Sequence, residues 1–259
     1  MPHPSIIRFD TCRSASLAEI AAGQDVGIKL SDLGLEPPKP VLILVGGADG
    51  LGKVPAQRLK PLFRYTLAPL IDRLSAIVID GGTDSGIMAL MGQARARMNA
   101  GFPLLVVTAK GTVSLPGQVP ASDLAHSRLE PNHTHFLLVP GDDWGNEAPW
   151  ISALATGLAR GSASATLVAG GGKITRLDIA LALRAGRPTI LLAGSGGTAD
   201  LVAEALESGD YAAIGIETER MRLLRVVDLD TAARTLREIL ESLLCSPEGS
   251  ASDNEHISA

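Results

Sequence analysis

Six short, unbroken apolar runs constrain this chain more than any other feature: VLILV (41–45), AIVID (76–80), PLLVVT (103–108), HFLLV (135–139), ATLVA (165–169) and PTILLA (188–193). None alternates with polar residues, and each is separated from the next by a longer segment of helical period. Strands without alternation are strands covered on both faces, which requires parallel pairing with helices above and below the sheet. The pattern therefore predicts an α/β fold, a Rossmann-like, doubly wound and mainly parallel sheet with helices on both faces. Helices are expected at about Pro55–Leu74, Ser85–Ala100, Glu147–Arg160, Thr175–Ala185 and Thr198–Ser208. A last strand near Leu223–Val227 and a helix over Thr231–Leu244 follow. Residues 1–40 read as an N-terminal extension packing on the domain, with a strand over Ser5–Phe9 and a short helix over Ser16–Ala22. Residues 41–244 form the domain, and 245–259 read as a disordered tail. Residues 109–134 read as a long loop lying over the site.

Composition removes several function classes. No segment approaches about 18 consecutive apolar residues, so no membrane span is expected. With 23 Lys and Arg against 28 Asp and Glu, and only 3% aromatics, nucleic acid is not an expected partner. The two cysteines, Cys12 and Cys245, stand near opposite ends and point to a reducing, cytoplasmic setting.

The same grammar follows four of the strands: VGGADG (45–50), DGGTDSG (80–86), AGGGKIT (169–175) and AGSGGTAD (193–200). In a parallel sheet all these corners open on one edge. Glycines there let a ligand approach backbone N–H groups, and helix N-termini favour its negative charge. The ligand-binding candidates are Gly46, Gly47, Asp49, Gly81, Gly82, Thr83, Ser85, Gly86, Gly170, Gly171, Gly172, Lys173, Gly194, Ser195, Gly196, Gly197, Thr198 and Asp200. Ser195 and Thr198 offer hydroxyls and Asp200 a carboxylate; helix capping explains Thr198 and Asp200 equally well. No corner has the spacing of a triphosphate-binding loop, of a dinucleotide fingerprint or of a nucleophile elbow.

Asp142, Trp144 and Glu147, in PGDDWGNEAPW, either line a ribose or adenine pocket or cap and fill the next helix start. His133 and His135, two apart in NHTHF, would share one strand face; metal binding by them needs ligands the sequence does not place, and no metal is expected.

DGGTDSGIM (80–88), NHTHFLLV (132–139) with WGNE behind it, and VAGGGKITRLDIALALRAGRPTILLAGSGGTADLVAEAL (168–206) come in an order that resembles the SLOG superfamily. Within it, the resemblance is to prokaryotic relatives of the N-terminal ligand-binding region of melastatin-type TRP channels. It covers about residues 41–210 and implies binding of a nucleotide-derived ligand such as ADP-ribose or cyclic ADP-ribose. Animal relatives mostly carry an arginine where this chain has Gly197, and arginines where it has Ile151 and Ala153; bidentate phosphate clamps are absent here. The superfamily's lonely-guy phosphoribohydrolases use a PGGxGTxxE motif, which AGGGKITRLD lacks; Asp178 is the nearest carboxylate. Two functions follow: a sensor that passes occupancy to an effector protein or a second copy, or a nucleotide N-glycosidase with its carboxylate among Asp80, Asp84, Glu147 and Asp178. The missing motif favours the sensor. A third is an interaction module with a vestigial pocket. An exposed apolar face on the terminal helix would allow a homodimer.

Overall fold

The computed structural model describes residues 5–21, 23–24, 30–47, 53–117, 127–210 and 218–245. Nine strands form one sheet: β1 (Ser5–Arg8), β2 (Ser14–Glu19), β3 (Val41–Gly46), β4 (Ile77–Asp80), β5 (Leu104–Ala109), β8 (His135–Val139), β9 (Ser164–Ala169), β10 (Thr189–Ala193) and β11 (Leu224–Asp228). Their order across the sheet is β1-β2-β8-β5-β4-β3-β9-β10-β11. Only β1 runs antiparallel to its neighbour. The short strands β6 (Val113–Ser114) and β7 (Ser127–Arg128) pair separately. All six apolar runs are strands, and the last strand falls where the sequence put it.

The helices divide cleanly between the faces because alternate residues of each strand feed different cores. On one face, α4 (Ala148–Ala159), α5 (Lys173–Arg184) and α6 (Gly197–Ser208) pack against Val41, Ile43, Val45, Val168 and Leu191. On the other, α1 (Lys53–Leu62), α2 (Ala68–Arg73), α3 (Gly86–Met98) and α7 (Ala232–Leu244) pack against Leu42, Leu44, Leu167 and Leu192. A buried guanidinium pins α4 to the sheet: Arg187 donates to the Ser164 and Thr156 hydroxyls and to the Ser152 carbonyl, and burial pushes its pKa down to about 10.

Three local expectations change. The single helix over 55–74 is three segments, with a π-helical turn over Phe63–Leu67 between α1 and α2. Pro61, inside α1, has no N–H to give to the preceding turn, and Pro69 falls at the start of α2, so the helix widens between them. The helix over Ser16–Ala22 is replaced by β2, because pairing with β8 outweighs the helical propensity of an Ala- and Leu-rich stretch. As a result β1 and β2 continue the sheet of the 41–244 region. The segment 109–134 carries a 3₁₀ turn and the β6–β7 pair rather than being structureless. The expectations for Asp49 and for the tail 246–259 lie outside the described residues.

Helix α7 also corrects the ground for a homodimer. Its apolar stripe, Ala232, Leu236, Leu240 and Leu244, is turned inward and buried against the sheet. Leu240→Ala is therefore expected to cost about 2–5 kcal/mol in chemical denaturation. Arg237→Ala on the exposed side should change stability by less than about 0.5 kcal/mol. Equal small effects would show that the stripe is not a core face.

Candidate functional site

The strand order reverses between β3 and β9: the chain steps outward from β3 through β4, β5 and β8, then returns to β9 on the other side. The helices after β3 and β9 leave on opposite faces, so the strand ends part and leave a crevice there. The glycine corners stand along this edge.

The β10–α6 corner spends most of its polar groups internally. Gly194 N–H and Gly196 N–H donate to the Asp200 carboxylate at 2.7 and 3.0 Å. Thr198 N–H and Ala199 N–H donate to the Gly171 and Gly170 carbonyls at 2.9 and 3.0 Å, so two of the first free donors of α6 are already satisfied. The Thr198 hydroxyl donates to the Gly172 carbonyl, and the Ser195 hydroxyl donates to Leu192 and accepts from Gly170 N–H. Gly197 has φ +58°, and a Cβ there would collide with the Gly171 carbonyl. Bare backbone in GSGG thus lets two neighbouring corners close on each other.

The β9–α5 corner is different. As at α6, no side chain of a described residue caps α5, but here the carbonyls of a neighbouring corner do not take up the donors. The N–H groups of Gly172, Lys173 and Ile174 meet no acceptor among the described residues, and a Cβ on Gly172 would meet open space. Lys173 and Arg176 are both exposed beside this opening.

Facing it is the β8–α4 corner. Trp144 is 41% exposed on the rim. Glu147 is buried and its carboxylate accepts the Gly145 N–H at 2.9–3.0 Å. Ile174 on α5 lies against Gly145, and Asp178 is one turn further along the same face. Burial, then the nearby Glu147 charge, pushes the Asp178 pKa up to about 7. Burial also raises Glu147. Asp142 is exposed, with Gly111 packed beside it.

The β4–α3 corner is organised by a buried chain of charges. His133 Nε2 lies 3.0 Å from Asp80 Oδ1, and Nδ1 lies 2.8 Å from Glu130 Oε2. Burial alone would lower the imidazole pKa, but the Asp80 charge and bonds to both carboxylates raise it to about 9. Asp80 also accepts the Gly82 N–H at 2.8 Å, and Glu130 accepts from Asn132. Gly92 on α3 leaves room for Glu130, whose carboxylate a Cβ would strike. The segment 127–130 is laid across the corner: Asp84 N–H donates to Arg128, Glu130 N–H to Gly82, and Thr83 bridges Leu129. Part of the long connection thus roofs this corner. Thr83 and Ser85 share a hydrogen bond at 3.1 Å, and Asp84 is exposed.

His133 and His135 do not share a face. His133 stands before β8 beside Phe136, whereas His135 opens the strand next to the Leu33 backbone, and burial lowers its pKa to about 4. Among the described residues no group of three or more His, Cys, Asp or Glu could hold a metal. Glu130 was not foreseen, although a Glu three residues before a His is a readable signal. The structure brings Asp80 onto His133 and places Asp178 where the Glu147 charge is felt. Gly46 and Gly47 end β3, with Gly47 N–H donating to the Ala169 carbonyl at 3.3 Å. Gly81 is half-buried, and Gly82 packs on Val106, so a side chain at Gly82 would test packing rather than binding.

The model of the family described as "SLOG in TRPM, prokaryote" matches residues 39–237. The chain belongs to that family. It is 27% identical over 207 residues to the transient receptor potential cation channel subfamily M member 2 of Mus musculus, a match covering 66% of this chain and 14% of the channel. Among solved structures, the X-ray structure of TM1055 matches with TM-score 0.49 and 19% identity, covering 78% of this chain and 99% of that one. The molybdenum cofactor binding protein of the phototrophic bacterium Rippkaea orientalis matches with TM-score 0.47 and 15% identity, covering 78% and 98%. No helix among the described residues is long and apolar enough to cross a membrane.

Two electrostatic predictions follow. His133→Ala leaves two buried carboxylates without their cation and is expected to cost about 3–5 kcal/mol at pH 6. Because the folded pKa of His133 is raised, its contribution is complete below about pH 6.5 and is lost as pH climbs through about 9. A variant as stable as the parent at pH 6 would contradict the ion chain. Asp178 is also raised, so folding favours its proton and stability falls as pH rises from about 4 to about 7. Asp178→Asn removes that loss and should raise the melting temperature at pH 8 by at least about 3 °C, with a smaller gain at pH 5. An unchanged difference between the two pH values would refute the raised pKa of Asp178.

Proposed function

We propose that the crevice at the β3–β9 reversal binds a nucleotide-derived ligand of the ADP-ribose kind, with its phosphates at the β9–α5 corner. One observation carries this reading: the first turn of α5 presents backbone N–H groups that meet no side-chain cap or other acceptor among the described residues, in a corner where a Cβ on Gly172 would meet open space. Such a helix start attracts an anion through both its donors and its dipole. The α6 start is a weaker anion site, because its donors serve the neighbouring corner and the groove beside it is lined by Asp200, Glu204, Glu207 and Asp228. Trp144 supplies an exposed ring on the opposite rim for a base to lie against. The family relation supports a ligand-binding role, and the resemblance of the glycine corners to SLOG domains supports this ligand class. In this reading the domain works as an intracellular sensor and passes its occupancy to an effector protein or to a second copy.

A second reading has one observation in its favour. Asp178, with its pKa pushed up to about 7, holds a proton near neutrality and could donate it to a departing base. The protein would then be a nucleotide N-glycosidase acting on the same ligands.

Calorimetric titration with ADP-ribose, cyclic ADP-ribose, NAD and AMP, followed by chromatography of each mixture, separates the two. Saturable heat with intact ligand is the expected result; released base would establish hydrolysis. Gly172→Asp places a carboxylate in the open space at the start of α5, where a helix accepts it well. It should leave the melting temperature within about 2 °C of the parent and weaken ADP-ribose at least about tenfold. Unchanged affinity would remove the phosphates from this corner.

A further inference from the structure

Strand β11 ends the sheet, and one of its two faces is left largely uncovered. On one side α7 closes over it, and Val227 is buried in the core that holds Leu236 and Leu240. On the other side α6 lies over β9 and β10, with Ala199 and Val202 in one core with Val168 and Leu191, and only Leu224 of β11 joins them. Val226, two residues on and on the same strand face, is 47% exposed. Between it and α6 runs a groove of about 560 Å³ whose apolar lining is Ala193, Ala203, Leu206 and Val226. The edge of the strand is open as well. Leu229 N–H donates to the Ala193 carbonyl, so by the alternation of a parallel ladder the backbone groups of Val226 turn away from β10, where no strand stands among the described residues.

The rim decides what fits. Asp200, Glu204, Glu207 and Asp228 line the groove, and no Lys, Arg or His does. Asp200 is engaged with the Gly194 and Gly196 N–H groups, but Glu204 and Glu207 are exposed and form no ion pair among the described residues. They stand three apart near the C-terminal end of α6, which has no basic residue in its last turn. Carboxylates there oppose the helix dipole and each other, so the helix itself does not account for them. The chain's own end does not supply the missing cation, since residues 246–259 contain no Lys or Arg. Pairing β11 with β11 of a second copy would bring two acidic rims to one seam.

We infer that β11 and this groove form the docking surface for an extended, cationic segment of a partner protein, which adds to β11 as a further strand and sets its basic side chains against Glu204 and Glu207. The spacings agree: side chains on one face of a strand recur about every 6.6 Å, and residues three apart on a helix stand about 5–6 Å from each other. Backbone pairing along the edge supplies affinity, and the carboxylates select the charge. The groove runs up to Gly194 and Asp200, so a docked segment reaches the corner that closes on the β9–α5 opening. The inference goes beyond the ligand reading above and stands without it.

The probe is a short acetylated and amidated peptide of alternating Lys and Val, titrated calorimetrically into the full chain at low salt. Saturable binding is expected, at least about tenfold weaker in the double variant Glu204→Gln/Glu207→Gln. The fully N-methylated peptide, which has no N–H to give to a strand edge, should also bind at least about tenfold more weakly. A peptide of alternating Glu and Val should not bind. Both substituted positions are exposed, so the melting temperature of the double variant should stay within about 2 °C of the parent's. Equal affinity of parent and double variant, or of the peptide and its N-methylated form, would overturn the docking surface. So would the absence of saturable binding up to about 1 mM peptide. A parent that is dimeric by light scattering, and monomeric as Val226→Arg, would assign the groove to a second copy and overturn the cationic partner.

Discussion

The architecture of the crevice depends on how two adjacent turns share their hydrogen bonds. The α6 start gives its Thr198 and Ala199 N–H groups to the carbonyls of Gly171 and Gly170, and Ser195 takes the Gly170 N–H in return. That exchange turns the carbonyls of the 170–172 segment towards α6, and the first N–H groups of α5 meet no acceptor among the described residues. A glycine at 197 is the condition for it, since any Cβ there would strike the Gly171 carbonyl. One corner is therefore closed so that its neighbour can stay open.

A second constraint acts at the other end of the crevice. Asp80, His133 and Glu130 form a buried carboxylate–imidazolium–carboxylate chain linking the end of β4 to the segment that crosses it. Such a chain is a poor source of net stability compared with packed apolar residues, but breaking it is expensive. Its value is positional: it fixes the 127–134 segment over the β4–α3 corner.

The sheet was legible because burial on both faces leaves a plain mark, a run with no polar alternation, and all six such runs are strands. The helices that pack on them are legible within a few residues for the same reason. What was not legible depends on partners far apart in sequence. Ser14–Glu19 has the composition of a helix and becomes a strand only because β8 offers an edge. The 55–74 helix reads as continuous in its apolar period, and Pro61 decides otherwise. In the site, each glycine corner looked alike, because the acceptors that distinguish them belong to other corners. Thr198 and Asp200 are engaged with the backbone of the two glycine corners, and neither caps α6. Asp178 feels the charge of Glu147, 31 positions away in sequence, and no spacing rule announces it.

Helix α7 has a consequence for how the molecule is made. Its leucine stripe completes the core that also holds α1, the π-helical turn, α3 and the middle strands. Until Leu236, Leu240 and Leu244 have been synthesised, Leu167, Leu192 and Val227 lack their cover. During synthesis a nascent chain holding nearly every strand still shows water an apolar sheet face, the kind of surface that chaperones bind and that aggregates at high expression. Completion of this core thus waits for α7.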